Sequence, residues 1–155
     1  MPEPLNRTAV LSICSVRSPE PGDYDKMADL AEQLGYLSTA QQVRMRLEAM
    51  ANSSQYGVYV AQLPGEQIGG WIGLYVFRSV EQDNCAGISG LIVDQQVRGR
   101  GIGKALLEAA EEWARSQGCS AIAIHSNVVR ELAHRFYARN GYEHIKTQKY
   151  LRKCL

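Results

Sequence analysis

The sequence predicts an α/β fold: helices flanking a mixed sheet. Three observations carry this. The chain has 155 residues, 45% of them apolar, which is enough for one domain with a proper core. Strand-like and helix-like periodicities alternate along it in the order β-α-α-β-β-β-α-β-α-β, with room for one more closing strand. An apolar run ending at Val93 leads through an Arg/Gly loop into an amphipathic helix, which is a βα turn. No linker, low-complexity tract or internal repeat interrupts the chain, so 1–155 reads as one domain.

The elements follow in order. Ala9–Arg17 is β-prone, and Ser18-Pro-Glu-Pro-Gly-Asp23 breaks it. Asp23 is expected to cap a helix with Met27, Leu30, Ala31 and Leu34 at helical spacing, ended by Gly35. Thr39-x-x-Gln42 is a capping box for a second helix that turns Val43, Leu47 and Met50 inward. Gly57–Gln62 and Gln67–Phe77 read as antiparallel strands around Pro64-Gly65-Glu66, and Cys85–Val93 as the next strand. Ile102 to Gln117 is a helix whose stripe is Ile102, Ala105, Leu106, Ala109 and Trp113, with Glu108, Glu111, Glu112 and Arg115 outward. Ser120–His125 is a strand and Val128–Arg139 a helix stopped at Asn140-Gly141. Tyr142–Lys146 and Lys149–Arg152 are expected as closing strands.

Composition excludes several classes. A net charge of +1 gives no reason to expect nucleic acid or an anionic membrane as partner. No apolar run approaches a membrane span, and Met1-Pro2-Glu3-Pro4 does not read as a signal peptide. The four cysteines (14, 85, 119, 154) are dispersed without a C-x-x-C pair. A disulfide framework and a metal site are therefore not expected, and a reducing cytoplasm is.

The loop after Val93 carries the functional signal. Glycines 99, 101 and 103 let a ligand approach the backbone, and the loop opens a helix whose unpaired N–H groups favour anions. Arg98, Arg100 and Lys104 add positive charge. The spacing is not that of a P-loop: Arg98 stands where its first Gly belongs, and Ala105 replaces the magnesium-binding hydroxyl. Nor is it the dinucleotide G-x-G-x-x-G, whose third Gly would fall on Lys104 or Leu106. Alone, the loop reads equally well as an anion cradle or as a glycine-rich turn without ligand.

Arg98-x-x-Gly101-x-Gly103 after a strand resembles the Arg/Gln-x-x-Gly-x-Gly/Ala signature of the GCN5-related N-acetyltransferase (GNAT) superfamily. Further on, Arg130-Glu-Leu-Ala-His-Arg-Phe-Tyr137-Ala-Arg-Asn-Gly141-Tyr142 is similar to that family's last conserved helix with its Ala, its Tyr and its closing Gly-aromatic pair. The similarity is strong from Ile88 to about Glu143; the N-terminal half matches in architecture only. It implies a mostly antiparallel sheet of six to seven strands, about four helices and a splayed central strand pair.

The resemblance also assigns roles. Backbone groups of Leu91, Ile92 and Val93 would bind the pantetheine arm of acetyl-CoA in the splay beside Ser120–His125, and Gly90 marks a bulge or close approach there. Amides from Gly99, Arg100, Gly101, Ile102, Gly103 and Lys104 would hold the pyrophosphate; Arg98 either joins them or braces the loop. Tyr137 would protonate the departing thiolate, although a helix Tyr also reads as a core residue with a tethered hydroxyl. Arg130 departs from the Asn common in the family; it and Asn127 are cofactor contacts by this reading, Asn127 also reading as a helix N-cap. His125 is the candidate base, with a structural or exposed role as the alternative. Tyr36, Trp71, Tyr75 and Glu81 are candidate acceptor-site residues, Trp71 and Tyr75 also reading as core and Glu81 as a solvated loop carboxylate. No metal ligand set is expected.

The function implied is transfer of acetyl from acetyl-CoA to a primary amine of a small molecule, directly in a ternary complex. Protein N-terminal or lysine acetylation is the runner-up, and a non-catalytic acyl-CoA sensor the other class. A homodimer is compatible, with the C-terminal strand as its interface.

Overall fold

The computed structural model describes residues 13–65 and 67–155. Its elements are β1 (Ser15–Arg17), α1 (Tyr24–Gln33), α2 (Ala40–Ala51), β2 (Tyr56–Gln62), β3 (Ile68–Phe77), β4 (Cys85–Val93), α3 (Ile102–Ser116), β5 (Ala121–Ile124) and α4 (Glu131–Arg139). The strands form one sheet in the order β1-β2-β3-β4-β5, antiparallel except for the parallel β4–β5 pair. Residues 9–12 of the expected first strand lie outside the described residues.

Period-two alternation sorts the strands' side chains onto two helical layers. Ile72, Leu74, Val76, Ala86 and Ile88 meet Ile102, Leu106, Leu107, Ala110 and Trp113 of α3 on one face. Val60, Ile68 and Ile92 meet Met27, Ala28 and Leu30 of α1 and Val43 of α2 on the other. The α3 stripe thus differs from the expected one: Leu107, Ala110 and Ala114 are buried, while Ala105 and Ala109 are half-buried. A helix lying flat on a sheet buries a face wider than one narrow seam, so its centre is set by the docking angle.

Two caps behave differently from each other. Thr39 and Gln42 form the reciprocal box, Gln42 N donating to Thr39 Oγ1 at 3.2 Å and Thr39 N to Gln42 Oε1 at 3.0 Å. Asp23 is not a side-chain cap of α1. Its carboxylate accepts from Arg17 at 2.7 and 3.0 Å and from Glu20 N at 2.7 Å, because a 3-10 turn over Pro21–Asp23 places it against β1. Gly35 ends α1 as expected, at φ +103°.

The C-terminal part departs most from expectation. α4 begins at Glu131, not Val128, and Asn127 does not cap it; its Oδ1 accepts from Val129 N at 3.2 Å in a turn that precedes the helix. Residues 142–155 contain no strand, so among the described residues the sheet has five strands and not six to seven. A strand needs a neighbour to satisfy its main chain, and this segment finds none among the described residues.

Candidate active site

The site grows from β4. Ile88 is its last residue paired to β5, opposite Ile124. Beyond that rung Gly90–Val93 keep β3 on one side and Ser89–Val93 have no β5 partner on the other, so the parallel pair splays. A bulge falls at the same place. Gly73 pairs with Gly90 and Leu74 with Ile88, which leaves Ser89 as the extra residue. The bulge switches the alternation: Ile88 faces the α3 core before it, and Leu91 and Val93 do so after it, while Ile92 turns to α1. Glycines make room for this. A Cβ on Gly73 would stand 2.5 Å from Ser89 Oγ, and one on Gly90 would stand 3.1 Å from the Trp71 ring.

The cradle follows directly. Asp94, buried at the end of β4, accepts from Gln96 N at 3.1 Å and starts a 3-10 turn over Gln95–Val97. Lys26 of α1 donates to the same carboxylate at 2.6 Å, and this pairing holds the Asp94 carboxyl below the usual carboxylate range. Arg98 Nε donates to the Val93 carbonyl at 3.1 Å, an intramolecular brace. Gly99 and Gly101 then take left-handed backbone at φ +78° and +83°, a region L side chains rarely adopt. The first residue of α3 to bond back is Ala105, to Gly101 O at 3.1 Å. The amides of Ile102, Gly103 and Lys104 have no main-chain partner among the described residues, which is the orphan-donor set of a helix start. Arg98, Arg100 and Lys104 are exposed around it.

α4 packs onto this helix start. A Cβ on Gly103 would lie 3.0 Å from Phe136 Cζ, so Gly103 permits the contact. Tyr137 is half-buried, edge-on to Phe136 with ring centroids 5.2 Å apart and to Tyr142 at 5.6 Å. Its hydroxyl makes no hydrogen bond among the described residues, so the tethered-hydroxyl alternative has no tether there. Burial pushes the phenol up to about 12, with Arg130 pulling weakly the other way. Tyr142 instead donates to Glu111 at 3.3 Å, which draws that carboxylate toward α4, not outward as the helical pattern suggested.

The remaining expected residues fall in several places. His125 is exposed one residue past β5, where the splay opens. Arg130 is exposed at the α4 cap, and Asn127 lies in the turn before it. Trp71 donates from Nε1 to Met27 O at 3.2 Å, fixing its ring between β3 and α1. Tyr75 lies over Gly87, and Tyr36 and Glu81 are exposed in loops. Cavities of about 310 and 140 Å³ line the α1–α2 side near Tyr24 and Lys26, and neither includes a cradle residue. Among the described residues no cluster of metal-ligating side chains occurs. Sequence reasoning missed Ser89 as the bulge, although the run of small residues Gly87, Ser89 and Gly90 within one strand was the available signal. It also missed Asp94 and Phe136, whose partners lie far away in sequence.

A splayed parallel pair, a bulge at the fork and an N-terminal amide cradle thus lie together where β4 runs into α3. The model of the acetyltransferase (GNAT) family matches residues 24–142. The chain is 32% identical over 139 residues to the aminoalkylphosphonate N-acetyltransferase of Salmonella typhimurium, covering 88% of this chain and 90% of that one. It is 30% identical over 124 residues to human N-acetylaspartate synthetase, covering 72% of this chain but only 40% of that longer protein. Among solved structures, an aminoglycoside N-acetyltransferase in complex with CoA superposes with a TM-score of 0.79 at 17% identity, over 90% of this chain and 94% of that one. Glucosamine-6-phosphate N-acetyltransferase from Arabidopsis thaliana does so with a TM-score of 0.74 at 20% identity, over 90% and 99%. The chain belongs to the GNAT family and is an acetyl-CoA-dependent N-acetyltransferase.

Proposed function

We propose that this enzyme acetylates a primary amine of a small molecule by direct transfer from acetyl-CoA in a ternary complex. The observation that carries the reading is the fork after Ile88: an unpaired β4 edge running from Ser89 to the amide cradle of Ile102–Lys104. The edge suits an amide-bearing arm, and the cradle with Arg100 and Lys104 suits a pyrophosphate. Arg98, committed to Val93 O, positions the loop. In the reaction the neutral amine attacks the thioester carbonyl carbon. The C–S bond breaks, the thiolate takes a proton from Tyr137, whose phenol stays protonated across the working pH range, and the proton shed by the newly acylated nitrogen restores that phenol. His125, at the mouth of the fork, is the residue assigned to take the proton from the substrate ammonium. No metal is needed for this sequence. Four unpaired cysteines accord with a cytoplasmic setting, and among the described residues no helix is long and apolar enough to cross a membrane.

The small-molecule acceptor is favoured by the match along nine-tenths of the Salmonella aminoalkylphosphonate enzyme. The test is thiol release from acetyl-CoA against aminoalkylphosphonates, aminoglycosides, amino sugars and peptides with free N-termini or lysines. Intersecting initial-velocity lines with a small amine are expected. Parallel lines would indicate an acetyl-enzyme and sink direct transfer. Turnover confined to peptides would shift the assignment to protein acetylation. Binding of acetyl-CoA without release to any acceptor would leave a sensor domain.

A further inference from the structure

Ser89 is the extra residue of the β4 bulge, and the bulge decides which way its side chain points. Ile88 before it and Leu91 after it face the α3 core, so Ser89 and Gly90 are both left on the α1 face. The contacts agree. A Cβ on Gly73 would stand 2.5 Å from Ser89 Oγ and 3.9 Å from Trp71 Cζ3, and one on Gly90 would stand 3.1 Å from the same ring atom. Trp71 belongs to the α1 side. A Cβ on Gly87, two residues before Ser89, would run into the Tyr75 ring. Ser89 is thus an exposed hydroxyl over a glycine floor, flanked by two rings from β3. It makes no hydrogen bond among the described residues.

Ser89 is also the first residue of β4 without a β5 partner, so it sits where the sheet forks. Tyr137 packs against the α3 cluster, on the opposite face. Two hydroxyls without partners therefore stand on opposite faces of the sheet: one on α4, proposed above as donor to the thiolate, and one on the bulge itself. Aromatic walls disfavour a charged ammonium, and a hydroxyl oxygen accepts from the N–H of a neutral amine. A thioester lying along the β4 edge would have a proton donor on one side and, on the other, an acceptor able to orient the nucleophile.

We propose that Ser89 holds the acceptor: its Oγ accepts a hydrogen bond from the attacking nitrogen and fixes that nitrogen beside the thioester carbonyl. This role rests on the transfer to a primary amine given above, and it names the side chain that aligns the nucleophile. No group of the chain competes for the hydroxyl among the described residues, and Gly73 leaves it uncrowded. Packing does not explain a serine there, because the residue is exposed.

Ser89→Ala should lower kcat/KM for the fastest amine of the panel above by about three- to tenfold. The KM for acetyl-CoA should stay unchanged, and Ser89→Thr, which keeps the hydroxyl, should restore most of the loss. Calorimetry supplies a reading apart from turnover. The same amine, titrated into enzyme saturated with CoA, should bind the wild type more tightly than the Ala variant by a similar factor. Thermal melts of the two should coincide, since Ser89 is exposed and bonded to nothing in its own chain. An Ala variant with wild-type amine affinity and kcat/KM would overturn the role, as would one whose KM for acetyl-CoA rises in step with that for the amine. Failure of the transfer reading looks different: the wild type would then release no thiol with any amine of the panel, and Ser89 would have no acceptor to hold.

Discussion

Tyr137 shows how a residue's role depends on what surrounds it. Its position in the helix is equally that of a core aromatic, and its ring does pack edge-on between Phe136 and Tyr142. The chemistry we propose for it lies in the hydroxyl, which has no partner among the described residues and whose desolvation keeps it a phenol to about pH 12. Tyr137→Phe keeps the packing and removes the proton. We expect kcat to fall about 10²- to 10⁴-fold, with the KM for acetyl-CoA changed far less. Steady-state kinetics with the accepted amine checks it, and wild-type turnover would remove Tyr137 from the mechanism. The same shift has a stability consequence of definite sign. Because the folded phenol titrates near 12 and the unfolded one near about 10, its contribution is complete below pH 10 and disappears as pH rises toward 12. The Tyr was legible in the sequence through its motif. Its burial was not, because the neighbouring Tyr142 comes from beyond the helix end.

Between elements, the decisive features are the βα turn and the bulge. The turn was legible because left-handed backbone requires glycine, and the alternating glycines announced it. Gly99 and Gly101 occupy that region, so Gly101→Ala should destabilise the fold by about 1–2 kcal/mol and weaken acetyl-CoA binding more than amine binding. Chemical denaturation and calorimetry would test this; an unchanged acetyl-CoA affinity would mean the turn does not hold the coenzyme. The bulge was legible only in part. Gly90 hinted at an irregular strand, but the extra residue is Ser89, and its identity depends on the register with Gly73 across the sheet. Register is a property of two strands, so one strand's pattern cannot supply it. The α3 stripe was displaced for the same reason, since docking chose which residues to bury, and α4 starts late because Asn127 closes a turn ahead of it.

Across the whole molecule, the pair of half-buried Lys26 and buried Asp94 at 2.6 Å joins α1 to the end of β4, the point where the cradle begins. Its carboxyl is depressed by Lys26 first, so the stabilisation is present above the unfolded carboxylate pKa of about 3.9 and is lost as pH falls through the lower folded value. Asp94→Asn should therefore cost about 1.5–3 kcal/mol at pH 7, with the penalty shrinking in acid; urea melts at pH 7 and pH 3 decide it, and an equal penalty at both would show the charge to be irrelevant. The same long-range logic governs the chain's end. Tyr142–Lys146 and Lys149–Arg152 read as strands from the sequence, yet among the described residues no strand forms there. What could be read from the letters alone was whatever local stereochemistry enforces: the order of the elements, the Thr39 capping box, the glycine turn and the family signature around it. Where the sheet forks, which carboxylate meets which cation and how Tyr137 is desolvated depend on contacts between residues far apart in the chain, and those exist only once the layers have packed.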